Sequence, residues 1–271
     1  MREMLIRGLS GLLYVALLLL SIFSLANAYL LLILVFGSIC LYEFLKIIDL
    51  KAKLLYLVLL VLVFVFCYLQ APKWATLFYL MLTITVNLFL IKNLIRPSKQ
   101  KNAVLHKYAF ATFYIIGGIV FMILLPSYQG EYTAYLVASI LGLIWINDTF
   151  AFIVGKSIGK HKLYESISPK KTVEGFFGGL FFSCLASFVI YKYICPVHLG
   201  LSLQFWIFIA ILTSVFGTIG DLIQSQLKRQ AGVKDSGQLM PGHGGLYDRL
   251  DSIVFASPFI YLFLIILNYV S

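Results

Sequence analysis

The passage GTIGDLIQSQLKRQAGVKDSGQLMPGHGGLYDRLD, from Gly217 to Asp251, contains the longest polar interruption in an otherwise apolar chain, and it separates the last two apolar runs. Three of its aspartates are candidate metal ligands: Asp221, Asp248 and Asp251. Five of its residues are cations suited to phosphate, the histidine only when protonated: Lys228, Arg229, Lys234, His243 and Arg249. Carboxylates and cations this close in sequence favour a metal-dependent site for a phosphate-rich substrate.

The composition around this passage is that of a membrane protein. Of the 271 residues, 61% are hydrophobic and 12% are charged, and the mean hydropathy is +0.97. Such a chain lacks the charged surface of a soluble domain. Its continuous Leu, Ile, Val and Phe runs also differ from the short alternating segments of a transmembrane β-barrel. We therefore expect an all-α polytopic integral membrane protein.

Nine apolar windows are long enough to cross about 30 Å of hydrocarbon as helices. They cover residues 8–26, 28–48, 53–71, 74–92, 109–127, 133–155, 174–195, 203–223 and 251–270. Short loops rich in Lys and Arg tend to stay in the cytoplasm, and only Lys73 and Lys192 fall clearly on the other side of this alternation. The pattern predicts an N-terminus in the cytoplasm and a C-terminus outside.

The formal charge of +10 is explained first by this orientation and by contact with anionic lipid headgroups. Binding to nucleic acid is the weaker explanation, because the cations lie in short loops rather than on one soluble face. The lipid bilayer is therefore an expected partner and nucleic acid is not.

The N-terminal run has a second interpretation, because two arginines, an apolar run and the tripeptide at 26–28 resemble a signal peptide with its cleavage site. We favour retention, since another apolar run begins at Tyr29 and the charge alternation needs the first run as a helix. The chain, 1–271, is then one membrane domain in which motif-poor helices (1–108) precede a catalytic half (109–271). Function is expected in its two long polar connections, at about 156–173 and 224–250.

Asp148 lies inside the sixth apolar window, about 10 Å from the cytoplasmic edge at the helical rise. An ionised carboxylate is costly at that depth unless it is paired, bound to metal or facing water. The alternative is a neutral or hydrogen-bonded aspartate that serves helix packing. We favour function, because cations gather at the same face of the membrane.

The connection that follows contains a glycine-containing turn, GKSIGK at 155–160, and the segment SPKKT at 168–172. The turn is no P-loop, since its glycines are one residue too close and it leaves a helix rather than a strand. Pro169 and Thr172 fit the start of a helix, with Glu174 in its first turn. Helix capping does not explain two adjacent lysines, Lys170 and Lys171.

Carboxylates also stand at two predicted helix ends. Asp221, Ser225 and Lys228 are spaced by four and three and so share a helix face, while Asp248 and Asp251 are three apart at the next helix start. Two such ends could hold a hard divalent cation through oxygen, with substrate phosphates completing the shell. The alternative is a salt-bridged connector, which explains neither the glycines between them nor the buried carboxylates.

These motifs together resemble the signature of the phosphatidate cytidylyltransferases, also called CDP-diglyceride synthases. The resemblance rests on SQLKR at 225–229, KDSG at 234–237 and PGHGGLYDRLD at 241–251, and on NDTFA at 147–151, GKSIGK at 155–160 and SPKKTVEG at 168–175. Met240 departs from the family's usual Leu, Ile or Phe but keeps apolar bulk. The motifs cover the C-terminal half, and the first half resembles the family only in its hydrophobicity.

The resemblance implies transfer of a cytidylyl group from CTP to phosphatidate, giving CDP-diacylglycerol and pyrophosphate. It implies catalytic roles for Asp221, Lys228, Arg229, His243, Asp248 and Arg249. The metal ligands expected by analogy are Asp221 and Asp248, with Asp148 and Asp251 completing or orienting the site. Substrate binding is expected of Asn147, Asp148, Lys160, Ser168, Lys170, Lys171, Ser225, Lys234, Asp235, Gly244 and Gly245. Mg²⁺ is the expected ion, with room for a monovalent cation such as K⁺.

The implied partners are CTP, phosphatidate and the bilayer, with a homodimer left open. We expect a plasma-membrane enzyme whose active site faces the cytoplasm, because CTP arrives from water while acyl chains stay in lipid. One alternative is a related CTP-dependent enzyme acting on another lipid phosphate. The other is a membrane transporter, which predicts polar residues spread through the membrane rather than gathered at one side.

Overall fold

The computed structural model describes residues 2–96, 104–194, 201–242 and 244–270, and for residues 2–7, 269 and 270 the backbone alone. Its helices are α1 Arg2–Ser24, α2 Ala26–Ile47, α3 Leu54–Val63, α4 Lys73–Ile95, α5 Val104–Ala109, α6 Gly117–Leu124, α7 Ala134–Ile158, α8 Val173–Val189, α9 Leu203–Gln230 and α10 Tyr247–Val270. π-helical segments continue α3 (Phe64–Tyr68), join α5 to α6 (Phe110–Ile116) and continue α8 (Ile190–Ile194), and a 3₁₀ turn follows α6 (Leu125–Ser127).

The expected class, a helical polytopic membrane protein, is confirmed. Seven helical rods in the described ranges are long and apolar enough to cross a bilayer, and Gly8–Ser24 and Leu54–Tyr68 are shorter apolar helices. A helix falls on each of the nine predicted windows. Because two of these helices are short, the count of nine crossings stays a prediction, as does the side on which each terminus lies.

The helical bundle also carries one small β-hairpin, which the sequence did not predict. The connection after α7 contains an antiparallel hairpin, β1 Lys162–Tyr164 and β2 Ser168–Thr172, in which Lys162 pairs with Thr172 and Tyr164 with Ser168. The Tyr164 hydroxyl donates to the Leu94 carbonyl at 2.8 Å, which fixes the hairpin against the end of α4. Pro169 therefore lies in a strand, and the predicted helix start belongs to Thr172 alone.

Thr172 caps α8, since its Oγ1 accepts a hydrogen bond from Gly175 N at 3.1 Å. Glu174, in the first turn, accepts from the backbone N–H groups of Lys160 and His161 and so ties the end of α7 to the start of α8. These bonds fix the lysine pair of the hairpin relative to both helices.

Helices α7 and α8 cross with their backbones in close approach. A Cβ atom added to Gly175 would lie 2.6 Å from the Ala151 carbonyl oxygen, and one added to Gly179 would lie 2.6 Å from the Asn147 carbonyl oxygen. In lipid, helices associate through such close packing because no hydrophobic force draws them together. The glycines therefore fix where Asp148, on α7, stands relative to the hairpin before α8.

The last helix, α10, lies at the centre of the bundle. Its Tyr247 hydroxyl shares a hydrogen bond of 2.7 Å with the Tyr114 hydroxyl, and Ser257 Oγ donates to the Gly118 carbonyl at 2.7 Å. Two polar contacts thus bind α10 to the rod that contains α6. The helix begins at Tyr247, four residues before the apolar window at 251–270, and Asp248 lies in its first turn, at the helix start where the sequence puts it.

Candidate functional site

A cavity of about 850 Å³ opens at the end of the bundle where α9 ends and α10 begins. Residues of α1, α7, α8, α9, α10 and the hairpin line it. Nine of the predicted site residues are among them: Asn147, Asp148, Lys170, Lys171, Asp221, Lys228, Asp248, Arg249 and Asp251. The structure thus brings together side chains from three separated sequence motifs, 147–151, 168–175 and 217–251.

Asp248 is the centre of a hydrogen-bond network. Its Oδ1 accepts from Lys228 Nζ at 2.6 Å and from Gln224 Nε2 at 3.0 Å. Its Oδ2 accepts from Ser236 N at 2.9 Å, from Ser236 Oγ at 3.0 Å and from Gly245 N at 3.0 Å. One carboxylate therefore connects α9, the 231–246 loop and the start of α10.

The Lys228–Asp248 pair is mostly buried, with side-chain exposures of 11% and 10%. Charges buried to this extent are tolerated only when they are paired and hydrogen-bonded, as both are here. The spacing in sequence predicts Lys228 on a face with Asp221 and Ser225, but the ammonium group turns to Asp248 on the neighbouring helix.

Asp221 forms a second, more open ion pair. Lys171 Nζ, on the hairpin, lies 2.5 Å from Asp221 Oδ2, and the side-chain exposures are 27% and 37%. Ser225 Oγ donates to Asp221 Oδ1 at 3.2 Å, as expected for residues four apart on a helix. An ammonium group thus accompanies each of the two carboxylates predicted as principal metal ligands.

The Asp148 side chain is accessible where α7 borders the cavity, and Asn147 Nδ2 donates to its Oδ1 at 3.3 Å. A carboxylate that borders an open cavity avoids much of the cost of burial in lipid. This position is in keeping with the functional interpretation of Asp148, which stays a prediction. Asp251 also lines the cavity but is 7% exposed. Asp148, Asp221 and Asp251 therefore approach the same space from α7, α9 and α10.

The donor set suits a hard cation only in part. In the described parts of the chain, no three acidic, His or Cys side chains form a ready-made metal cage. Mg²⁺ commonly takes one or two carboxylates and completes its shell with water and substrate phosphates. Asn147 Oδ1 and Gln224 Oε1, both on cavity-lining residues, are buried oxygens with no hydrogen-bond partner among the described residues. Such oxygens are of the class that Mg²⁺ prefers.

The other predicted residues do not line the cavity. They are Lys160, Ser168, Ser225, Arg229, Lys234, Asp235, Gly244 and Gly245, while His243 lies outside the described residues. Gly244 has a φ of +85°, and a Cβ there would lie 2.9 Å from Asp248 Oδ2, so both the turn and the close approach require glycine. Gly245 contributes its N–H to Asp248 rather than an open anion site.

Sequence reasoning missed Gln224, Ser236 and Glu43. Glu43, on α2, is 3% exposed, and its carboxylate accepts hydrogen bonds from the 231–246 loop and from the start of α10. An acidic residue near the end of an apolar run is the same signal that identified Asp148. Gln224 and Ser236 carry no such signal in the sequence, because only the fold brings them to their partners.

Comparison with known proteins places this chain in a family. The sequence profile of the cytidylyltransferase family matches residues 5–267. Proteins named phosphatidate cytidylyltransferase are similar in sequence: those of Staphylococcus epidermidis (43% identical over 148 residues), Staphylococcus saprophyticus (44% over 148) and Staphylococcus aureus (41% over 150). Each alignment covers 55% of this chain and 55% of the relative, so the chain spans about half the length of the curated relatives it matches. The profile match extends over nearly the whole chain, which therefore belongs to the cytidylyltransferase family.

Proposed function

We propose that this protein transfers a cytidylyl group from CTP to phosphatidate, giving CDP-diacylglycerol and pyrophosphate. The observation that carries the proposal is the cavity into which Asp148, Asp221 and Asp251 project beside three lysines, Lys170, Lys171 and Lys228, at one end of a membrane bundle. Family membership and the names of the relatives support the same chemistry.

In this reaction an oxygen of the lipid phosphate attacks the α-phosphorus of CTP. A new P–O bond forms as the bond from the α-phosphorus to the bridging oxygen breaks, and pyrophosphate leaves with the electron pair. At neutral pH the attacking phosphate is already ionised, so no general base is required. The difficulty is the approach of two polyanions, and positioned cations lower that barrier.

The two ion pairs suggest how the cations are kept in place before substrate arrives. Lys171 is held by Asp221 and Lys228 by Asp248. Mg²⁺ bound by these aspartates, with Asp148 and Asp251 beside them, would supply neutralisation of phosphate charge. Each lysine released from its aspartate can then contact a phosphate oxygen, so the positive charge stays within the site. A monovalent ion such as K⁺ is a proposed companion.

The lining of the cavity also suits a lipid substrate. Val15 of α1, Trp145 and Phe152 of α7 and Phe176 of α8 border it together with the charged groups. Phe152 is 67% exposed on the outer surface of the bundle. A phosphate held among the lysines would leave its acyl chains on this apolar side, in the bilayer.

We propose that this end of the bundle faces the cytoplasm of a bacterial plasma membrane. The hairpin, with Lys162, Lys170 and Lys171, and the end of α9, with Lys228 and Arg229, lie there, and loops rich in such residues tend to remain in the cytoplasm. CTP would reach the cavity from the same side.

The test is release of pyrophosphate by the purified protein in detergent micelles containing phosphatidate, CTP and Mg²⁺. We expect release that requires both lipid and metal, with a CDP-lipid as the second product. Asp148→Asn, which keeps the side-chain size and removes the charge, should lower kcat by about 100-fold, within the range found when one electrostatic group of an active site is removed.

The controls separate the reaction from its rivals. Glu131→Gln, an exposed carboxylate in the loop between α6 and α7, should leave kcat unchanged. Turnover with another lipid phosphate but not with phosphatidate would move the assignment to a related enzyme. A folded protein that binds CTP and releases no pyrophosphate with any lipid phosphate would overturn the proposal.

A further inference from the structure

Glu43 is a buried carboxylate whose partners all lie about two hundred residues further along the chain. Its Oε1 accepts from Leu246 N at 3.1 Å, and its Oε2 accepts from Tyr247 N at 2.9 Å. The Ser236 hydroxyl lies 2.6 Å from Oε2. Three groups from the 231–246 loop and the start of α10 thus surround one side chain of α2.

The first N–H groups of a helix have no partner within that helix. At the start of α10 the N–H groups of Leu246 and Tyr247 donate to Glu43, a residue of another helix, while Asp248 of the first turn accepts from Gly245 N. A negative charge at a helix N-terminus is also favoured by the helix dipole. Glu43 therefore fixes the point at which α10, and with it Asp248, begins.

Two glycines of the loop leave room for this carboxylate. A Cβ atom added to Gly237 would overlap Glu43 Oε1, and one added to Gly245 would overlap Glu43 Oε2 and Ser236 Oγ. Neither glycine has a positive φ, so the requirement for glycine at these positions is one of space. The glycines of the motif allow the loop to close around Glu43.

Ser236 connects this carboxylate to the cavity. Its hydroxyl lies between Glu43 Oε2, at 2.6 Å, and Asp248 Oδ2, at 3.0 Å. A change at Glu43 therefore reaches Asp248 by two routes, through Ser236 and through the first turn of α10.

We infer that Glu43 is a positioning residue, which holds the 231–246 loop and the start of α10 so that Asp248 and Lys228 face the cavity in a fixed geometry. Glu43 does not line the cavity and so acts through other residues. We call the contact of Glu43 with the 231–246 loop and the start of α10 the clamp. The effect of the clamp on turnover rests on the proposed cytidylyl transfer, whereas the existence of the clamp does not.

The first test is hydrogen exchange of backbone amides in the purified full-length protein, read on peptides that cover 235–247. Glu43→Gln keeps the size of the side chain but replaces one of the two acceptor oxygens by an NH₂ group. The amide of Leu246 or of Tyr247, whichever then faces that NH₂, should exchange at least about 10-fold faster. Glu131→Gln is the matched control and should leave this segment unchanged. Equal exchange rates in the two variants would overturn the inference, whatever the enzyme does.

The second test pairs Glu43 with Gly237, because the atoms nearest to a Cβ at Gly237 all belong to Glu43. Gly237→Ala alone should lower kcat by about 10- to 100-fold, the usual effect of disturbing the groups that orient an active-site residue. In a Glu43→Ala protein the added methyl group enters vacated space, so Gly237→Ala should then change kcat less than 2-fold, roughly the limit of such a comparison. An unchanged penalty in both backgrounds would contradict the clamp.

A residue that only stabilises the bundle would give a different result. It would lower the midpoint of unfolding in Glu43→Gln and leave kcat per folded molecule as in the wild type. The clamp predicts a fall in kcat per folded molecule, whether or not the midpoint also falls. If the wild type itself releases no pyrophosphate, the proposed function fails while the exchange experiment still decides the clamp.

Discussion

Two ion pairs in one cavity differ in burial, and this difference predicts different responses to mutation. The Lys228–Asp248 pair is about one-tenth exposed. Lys228→Met should lower the free energy of unfolding by about 3 kcal/mol, because it leaves a buried carboxylate without its counter-ion. The measurement is unfolding in mixed micelles with increasing denaturing detergent. Lys51→Met, at an exposed loop position, is the control, and an equal effect of the two changes would contradict the argument.

The more exposed pair should affect turnover without affecting stability. Asp221 and Lys171 are 37% and 27% exposed, and ion pairs of this kind contribute about 0–1 kcal/mol. Asp221→Asn should therefore change the free energy of unfolding very little, yet lower kcat by about 100-fold if Asp221 orients charge in the proposed reaction. A variant that unfolds easily and turns over normally when folded would reverse the assignment.

Acidic residues in an apolar run can be identified from the sequence without knowledge of their partners, because a charge in a membrane is costly. Asp148 and Asp221 are acids in or beside apolar runs, and both line the cavity. Glu43 carries the same signal, and nothing in its neighbourhood indicates a partner 193 or 204 residues away. The pairing of Lys228 with Asp248 likewise depends on how α9 packs beside α10. A contact between two helices cannot be predicted from residue spacing along one of them.

At the scale of helices, the crossing of α7 and α8 can be tested by adding single methyl groups. Gly179→Ala would place its Cβ 2.6 Å from the Asn147 carbonyl oxygen, so the helices must separate. We expect a loss of about 1–3 kcal/mol in the free energy of unfolding, as for other overpacked contacts. A lower kcat should accompany it, since Asp148 moves away from Lys171.

Gly142 offers a matched control within α7, because a Cβ there would meet nothing within 4 Å. Gly142→Ala should leave kcat unchanged and raise the free energy of unfolding by about 0.5–1 kcal/mol, since alanine favours helix more than glycine does. Equal losses at Gly142 and Gly179 would show that helix contact is not the cause.

The elements themselves were predictable to the extent that hydrophobicity determines them. Apolar runs of about twenty residues must be helical in lipid, because every backbone polar group needs a partner within the segment. The hairpin of Lys162–Tyr164 and Ser168–Thr172 escapes this rule, since it lies in a polar connection and its strands are too short for an alternating pattern. Its position depends instead on the bond from Tyr164 to the end of α4.

At the scale of the whole molecule, the two halves of the chain form one site. Gly11, Tyr14 and Val15 of α1 line the cavity, and Glu43 of α2 holds the loop beside it. The motifs all lie after residue 146, yet the geometry of Asp248 depends on residues before 50. The N-terminal helices, poor in motifs, therefore contribute to the candidate site.

The orientation of the molecule is the last prediction, and α7 allows a direct test. Its 25 residues extend about 37 Å, enough to cross the bilayer, with Glu131 before its start and Glu165 after its end. In a protein without its native cysteines, Glu131→Cys should react with a membrane-impermeant maleimide in intact bacterial cells, because the positive-inside pattern puts that loop outside. Glu165→Cys, in the turn of the hairpin, should react only after lysis. The opposite labelling would place the cavity outside, away from cytoplasmic CTP, and labelling of both positions in intact cells would mean that α7 does not cross.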